Sequence, residues 1–320
     1  MRLAWELLVA TFNEWIEDKA QRLGAALAYY TVFSIAPLLV IAVYMARLIY
    51  ADDSLPRIYE QINAFMGPSV ANVAVAAMEG LKMHGDSGGI ATVISVVVLL
   101  LGATAAFGSL QDAMNTIWEV TPKPRHLLID LLRTRLISFL MVLCFCILLI
   151  VSVAASAALA IVTKFFEAQY PITAMIWKSA DYGLSFVLMT LVFATLYKVL
   201  PDVRISWSDV SVGAAATALL FILGRIPLSM YLGSNALSSP YGAAGSILVL
   251  LAWVYYSSQI LFLGAEFTQV YANRFGRRVR TARGAIFLSE ASRIQQGIPH
   301  TQTIQDRLKK EEEKRRKLVS

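Results

Sequence analysis

The chain has 320 residues, of which 57% are hydrophobic and only 16% are charged. A soluble domain usually carries about 25% charged residues, so this composition, with a mean hydropathy of +0.60, argues against a soluble globular protein. The net charge of +6 does not indicate nucleic-acid binding, because 13 of the 28 basic residues lie after Asn273. That placement is typical of a segment near anionic lipid.

Residues 1–22 have the periodicity of an amphipathic helix rather than the pattern of a cleavable signal peptide, because acidic residues interrupt any apolar core. Two interpretations are open: a helix lying on the inner membrane surface, and a cytoplasmic cap packed on a helical bundle. The predicted apolar face consists of Trp5, Leu8, Phe12, Trp15 and Ile16.

Six apolar stretches between residues 23 and 272 are each long enough to cross a bilayer as a helix, which takes roughly 20 residues. We therefore predict an all-α integral membrane protein, a bundle of six transmembrane helices, because helices satisfy their backbone groups internally in lipid. The predicted spans are 24–50, 90–110, 136–162, 182–200, 210–232 and 244–271.

The distribution of Lys and Arg predicts a multi-pass membrane protein with both termini in the cytoplasm. The N-terminus, the loops 111–135 and 198–209, and the segment after residue 273 together hold 22 basic residues. The opposite side holds five.

Two regions are predicted outside the spans. Between spans one and two, segments 56–66 and 68–83 each begin with proline and carry an apolar face, which is typical of short helices on the outer side. Residues 273–320 are predicted to form a basic, largely mobile cytoplasmic tail, with a helix at 304–318.

Arg225 is the strongest candidate functional residue, because ionisable groups inside a span usually face protein or water. It lies about 15 residues into the fifth span, roughly 22 Å from its start, and Pro227 should kink the helix close to it. A cavity-facing role and outward snorkelling are both open. Its predicted partner is Asp181, at the outer start of the fourth span.

Glu266 is the second ionisable residue inside a span. Its depth differs from that of Arg225 by roughly 15 Å, so we expect it to meet Arg22 or Gln21 at the start of the first span instead. Each pair is either a structural tie or part of a gate or polar site.

Small and kinking residues form another candidate group. The run 241–246 lets helices approach closely, although glycine and proline interruptions also mark broken helices at substrate sites. Such faces pack within a chain or between chains, so both a monomer and a homo-oligomer are compatible with the sequence. The residues are Pro37, Pro227, Gly242 and Gly245.

Enzyme signatures are weak in this sequence. The three histidines lie on three different segments, and the sequence has no metal-ligand spacing, phosphate-binding loop or nucleophile motif. We therefore expect no catalytic residues, no metal, no cofactor and no enzymatic activity.

Six segments carry a family resemblance, in the same order along the chain: 25–39 (AALAYYTVFSIAPLL), 115–118 (NTIW), 196–202 (LYKVLPD) with Trp207, 241–246 (YGAAGS), 251–255 (LAWVY) and 264–267 (GAEF). Together they resemble the YihY/BrkB family of bacterial inner-membrane proteins over about residues 10–275. The resemblance implies six helical spans. It implies little chemistry, since members have been labelled ribonuclease BN, linked to serum resistance in virulence, or tied to envelope lipid export.

Three functions follow as hypotheses. The first is transport or flipping of an amphipathic, anionic, lipid-like envelope molecule, favoured by Arg225 and the kinks. The second is a non-catalytic scaffold or assembly factor for the envelope. The third, a tRNA-processing ribonuclease, rests only on the family label. The expected partners are membrane lipids and a lipid-like substrate, with no nucleic acid.

Overall fold

The computed structural model describes residues 2–33, 89–123, 174–233, 243–276, 279–282 and 284–303, together with positions 59, 63, 71, 75 and 305. These residues are mostly helical. The predicted third span, most of the first, and most of the predicted outer helices lie outside the described residues, so the count of six spans stays a prediction.

The described residues include seven helices and four short strands. The helices are α1 (Arg2–Glu17), α2 (residues 20–33), α3 (Gly89–Ile117), α4 (Ala174–Val199), α5 (Trp207–Gly233), α6 (Ala243–Phe275) and α7 (Glu290–Gln296). The strands are β1 (Val120–Pro122), β2 (Val203–Arg204), β3 (Arg280–Thr281) and β4 (Ala285–Phe287).

Two of these helices are long and apolar enough to cross a membrane, over Trp207–Leu228 in α5 and Ile247–Phe275 in α6. They coincide with the predicted fifth and sixth spans. α3 and α4 contain the predicted second and fourth spans, and α2 contains the start of the first. Continuous apolar sequence explains these helices, since only a buried or lipid-facing helix is apolar on all sides.

α5 packs between α4 and α6 through small residues. A side-chain carbon added at Gly264 would overlap the Thr217 hydroxyl and come within 2.6 Å of the Tyr197 hydroxyl. Gly213 faces Thr268 in the same way, and Gly224 lies against Tyr256 of α6. Such residues let helix backbones approach closely.

The outer faces of the long helices are apolar and exposed. On α5 an exposed row recurs at helical spacing, from Leu219 through Leu223 and Ile226 to Met230. Contiguous exposed apolar surface of this kind is unusual on a soluble protein. It is the surface that lipid would cover.

Short strands form two sheets at one end of the bundle, a feature that the all-α prediction did not include. β1 pairs with β4 in antiparallel register, Val120 opposite Phe287, and β2 pairs with β3, Val203 opposite Thr281. We call α1, segments 118–123 and 200–206, and residues 279–303 together the cap. The strands join two loops of the bundle to the segment that follows α6.

The prediction of a largely mobile tail over 273–320 does not describe residues 279–303. These residues form β3, β4 and α7, and α7 is capped at both ends. The Ser289 hydroxyl accepts from the backbone of Ser292, and Gly297 ends the helix in the left-handed conformation with φ of 75°. Ile298 is 1% exposed. This segment is ordered by hydrogen-bonded turns and by burial, neither of which a hydropathy profile reveals.

The close contact at Gly264 leads to a test. We expect Gly264→Ala to lower the free energy of unfolding by about 1–3 kcal/mol, because the added methyl group would force α5 and α6 apart. Gly183→Ala on α4 is the matched control, since an added carbon there meets nothing within 4 Å. The control should be neutral or more stable by about 0.5–1 kcal/mol. Equal thermal stability of the two variants in detergent would contradict the packing described above.

Candidate functional site

An ion pair between the C-terminal segment and the N-terminal helix lies at the centre of the cap. Nη2 of Arg293, on α7, donates to Oδ1 of Asp18, directly after α1, at 2.8 Å. The two side chains are 1% and 3% exposed. Arg293 also lies 3.8 Å from Glu119, which follows α3. One guanidinium therefore connects three separate parts of the chain.

Glu266 of α6 is fully buried at the same end of the bundle. Neither of its carboxylate oxygens has a hydrogen-bond partner among the described residues. The charged groups that act on it include Asp18, Glu14, Arg293 and Glu119. The site is thus acidic, with Arg293 as the cation that these groups share.

Burial governs the ionisation of the carboxylates on the N-terminal side. It raises the pKa of Asp18 to about 6, because the desolvation penalty exceeds the attraction of Arg293. Burial, followed by repulsion from Glu17, also raises the pKa of Glu14. These acids therefore bind protons more readily in the folded protein than in the unfolded chain.

His300 connects two more carboxylates to the cluster. Its Nδ1 lies 2.7 Å from Glu290 and its Nε2 lies 3.2 Å from Glu119. Burial lowers the pKa of His300, but the hydrogen bonds with Glu290 and Glu119 outweigh it, and the net pKa is raised. The bond to His300 correspondingly lowers the pKa of Glu290.

Asn115, in the last turn of α3, is tied to Asp202 in the loop after α4, and Asp202 is tied in turn to the C-terminal segment. Asn115 donates to Oδ2 of Asp202 at 3.2 Å and accepts from the Asp202 backbone N–H at 2.8 Å. The backbone N–H of Ala282 donates to the Asp202 carbonyl at 2.9 Å. The NTIW and LYKVLPD segments therefore meet in the cap, as does Glu266 of the GAEF segment.

An apolar groove of about 600 Å³ lies between α1, α5 and α6. Ligand sites commonly have volumes of about 300–1,000 Å³. α1 packs on α6 through its ion pair from Glu6 to Arg274, yet much of its apolar face stays exposed. Both interpretations of the N-terminal helix thus find support. The groove is lined among others by Trp5, Leu8, Phe12, Leu219, Leu263 and Phe267.

Arg225 is exposed, but it is not on the exposed apolar row of α5. It lies 11 and seven residues beyond Ala214 and Ala218, both 0% exposed, and therefore on their side of the helix. The same side meets α4, where the rings of Phe221 and Phe193 are 5.7 Å apart. Arg225 thus lies on the side of α5 that faces the bundle, at a level along the helix where that side is exposed.

The register between α4 and α5 bears on the predicted partner Asp181. Tyr197 lies 3.0 Å from Thr217, and the ring of Phe193 lies beside that of Phe221, so Met189 is level with Arg225 in this antiparallel pair. Asp181 lies eight residues before Met189 on α4, so its backbone is about 12 Å from the level of Arg225 along the helix axis. Its side chain lies outside the described part.

The other predicted site residues are distributed as follows. Gln21 and Arg22 are exposed, and no hydrogen bond joins either to the Glu266 carboxylate in the described structure. Pro227 lies within α5, which continues to Gly233, and Gly245 lies in the first turn of α6. Pro37 and Gly242 are outside the described residues. Among the residues described, no group of three metal-ligating side chains could hold an ion.

Apolar helices with exposed outer faces, closed at one end by a polar cap, define a helical membrane protein. The family described as "Virulence factor BrkB" matches residues 11–285, and the chain belongs to that family. The YihY/BrkB resemblance of the sequence is thereby confirmed.

Relatives carry membrane-protein names. The chain is 25% identical to the UPF0761 membrane protein Smlt0865 of Stenotrophomonas maltophilia over 82% of its length, and spans 59% of that relative. It is 26% identical to a UPF0761 membrane protein of Psychromonas ingrahamii, over 84% of this chain and 88% of the other. A Bacillus subtilis protein named as ribonuclease-like, YfkH, is 23% identical over 82% and 94% of the two chains. No solved structure matches the chain.

Replacing Arg293 tests the importance of the buried ion pair. We expect Arg293→Ala to destabilise the cap by about 3–5 kcal/mol, because it leaves Asp18 buried without its cation. Arg274→Ala, which breaks the exposed pair with Glu6, should cost about 0–1 kcal/mol. Chemical unfolding followed by tryptophan fluorescence measures both. A loss for Arg293→Ala no larger than that of the control would contradict this role.

The shifted pKa values also predict how cap stability depends on pH. The pKa of Asp18 is higher in the folded state, so its contribution to stability is complete below its unfolded pKa of about 3.9 and is lost as pH rises through about 6. The contribution of His300 is complete below about 6.5 and is lost as pH rises through its raised pKa. The midpoint of unfolding should therefore decrease as the pH is raised from 5 to 8. His300→Gln should make the upper part of this pH dependence flatter. A midpoint that rises across this range would contradict the prediction.

Proposed function

We propose that this membrane protein moves an amphipathic, anionic, lipid-like envelope molecule across the bilayer. The observation that carries the proposal is the position of Arg225. It lies on the side of α5 that carries buried Ala214 and Ala218, yet it is exposed. A cation inside a span is costly in lipid and normally faces protein or water. A polar path along α4 and α5 would accommodate it and would attract an anionic headgroup.

The groove at the capped end supports the same proposal. Its lining is apolar, its volume is about 600 Å³ and it opens beside the amphipathic face of α1. An acyl chain fits such a lining because burial of each methylene group contributes about 0.8 kcal/mol. The headgroup and the chains of one molecule would then be held by different surfaces.

Within this proposal the bundle has six spans and the capped end faces the cytoplasm of a bacterial inner membrane. The excess of basic residues on the predicted cytoplasmic side supports that orientation. The proposed partners are membrane lipids rather than nucleic acid, and the protein acts without a catalytic centre. Self-association through small-residue faces is compatible with this function.

A scaffold for envelope assembly is the alternative, and one observation favours it. The cap is a folded platform that joins α1, two bundle loops and the C-terminal segment. A scaffold would use this platform, together with the exposed apolar face of α1, to hold other proteins at the membrane. The ribonuclease name of the Bacillus relative belongs to that protein, and RNA cleavage is the remote third candidate for this chain.

Reconstitution in liposomes tests lipid movement directly. The translocation of a fluorescent anionic phospholipid should be faster with wild-type protein than in empty liposomes. Arg225→Ala should slow it by about tenfold, equivalent to about 1.4 kcal/mol in the barrier, and Arg225→Lys should retain more activity because it keeps the charge. Leu223→Ala, on the exposed apolar row of the same helix, is the control.

Two results would count against transport. Wild-type protein that moves lipid no faster than empty liposomes leaves the scaffold as the better function. Equal translocation rates for wild type and Arg225→Ala would show that Arg225 has no role in lipid movement, and the proposal depends on that role. Incubation of the same preparation with structured RNA tests the third candidate, for which intact RNA is the expected result.

A further inference from the structure

Asp18 and Glu266, at 2% and 0% exposed, are the most deeply buried carboxylates of the described residues, followed by Asp209 at the start of α5, at 7%. Arg293, at 1% exposed, is the buried base among the described residues. An ionised group away from water is stable only when it is paired and hydrogen-bonded. A single guanidinium balances one negative charge.

The geometry shows which carboxylate Arg293 neutralises. Its Nη2 donates to Oδ1 of Asp18 at 2.8 Å. Glu266 accepts no hydrogen bond from any described residue at either oxygen, although both oxygens are buried. An ionised carboxylate without donors in such a place would carry the full desolvation penalty.

We propose that Asp18 and Glu266 form a proton-binding site, in which Arg293 balances one carboxylate and a bound proton neutralises the other. The ligand is the proton itself. The site comprises Asp18 directly after α1, Glu266 on α6 and Arg293 on α7, whose charges act on one another, toward the opposite end of α5 from Arg225. The inference goes beyond lipid movement and does not depend on it.

The groups around the pair favour this charge state. Glu14 on α1 and Glu119 after α3 are acidic and both repel a second negative charge at Glu266. His300 and Glu290, next to Arg293 in the C-terminal segment, pair with each other. Because acids outnumber bases, release of the proton would add an uncompensated charge to the site. The raised pKa of Asp18 agrees with this balance.

Proton binding would also control how firmly the C-terminal segment is attached. Arg293 reaches the site from α7 and contacts both Asp18 and Glu119. When the proton is lost, two buried anions compete for one guanidinium, and opening the cap to water relieves that competition. The cap should therefore be tighter in acid and looser in base.

Infrared spectroscopy of the full chain in lipid nanodiscs tests the proposal. At pH 6 ordinary carboxylates are ionised, since their usual pKa values are about 3.9–4.3. Wild type should show the C=O stretch of a protonated carboxylic acid, which disappears as the pH is raised to about 9. Glu266→Gln should remove the band, because Arg293 then balances Asp18 alone. Asp18→Asn should also remove it, because Arg293 becomes available to Glu266. Glu6→Gln, in the exposed pair with Arg274, should leave the band unchanged.

Each other outcome overturns the proposal. Absence of the band in wild type at pH 6 means that the site holds no proton. Persistence of the band in Glu266→Gln places the proton elsewhere. Persistence in Asp18→Asn means that Glu266 is neutral without regard to Arg293, so that the carboxylates do not share a cation. Hydrogen exchange of α7, measured on the same samples, establishes that the variants keep the cap folded. If one variant unfolds, the other variant decides whether the band belongs to this pair, and absence of the band in wild type overturns the proposal by itself.

Discussion

The buried ion pair between Arg293 and Asp18 is the interaction on which the described architecture depends. It joins a residue just after the first helix to one that lies beyond the last bundle helix, 275 positions apart along the chain. The paired strands and the tie from Asn115 to Asp202 then complete the cap around it. Because Arg293 also reaches Glu119, the C-terminal segment is a structural component of the protein, and the loops of the bundle are fixed relative to one another.

At the level of the bundle, small residues and helical spacing determine what each side chain faces. Gly213 and Gly264 let α5 and α6 approach closely, while the row from Leu219 to Met230 presents apolar surface to lipid. Arg225 belongs to neither group, and its place on the bundle side of α5 supports a polar path there. The protein thus has a polar site at each end of α5, one at Arg225 and one at Glu266, which the proposed functions of transport and proton binding use separately.

Sequence reasoning identified the long helices well because continuous apolar runs leave few alternatives. The predicted spans 210–232 and 244–271 differ by only a few residues from α5 and α6. Glu266 was also recognised as an unusual residue, but its charged neighbour Arg293 was not. Arg293 lies in a seven-residue helix, too short for a periodic pattern. The helix-capping residues Ser289 and Gly297 were the available signal for this helix. The low hydrophobicity of the sequence around them favoured the prediction of a mobile tail instead. The level of Arg225 relative to α4 depends on helix register, which side-chain contacts determine and hydropathy does not.

Hydrogen exchange of the full chain in lipid nanodiscs at pH 6 tests most directly whether the C-terminal segment is folded into the cap. The amides of Ala282, Leu288 and Ile298 donate to carbonyl groups of Asp202, Glu119 and Arg293, respectively. They should exchange on the order of a hundredfold more slowly than in an unstructured peptide, which corresponds to about 2.7 kcal/mol of protection. Exchange of all three amides at the rate of an unstructured peptide would contradict a folded cap and, with it, the role of the Arg293–Asp18 pair.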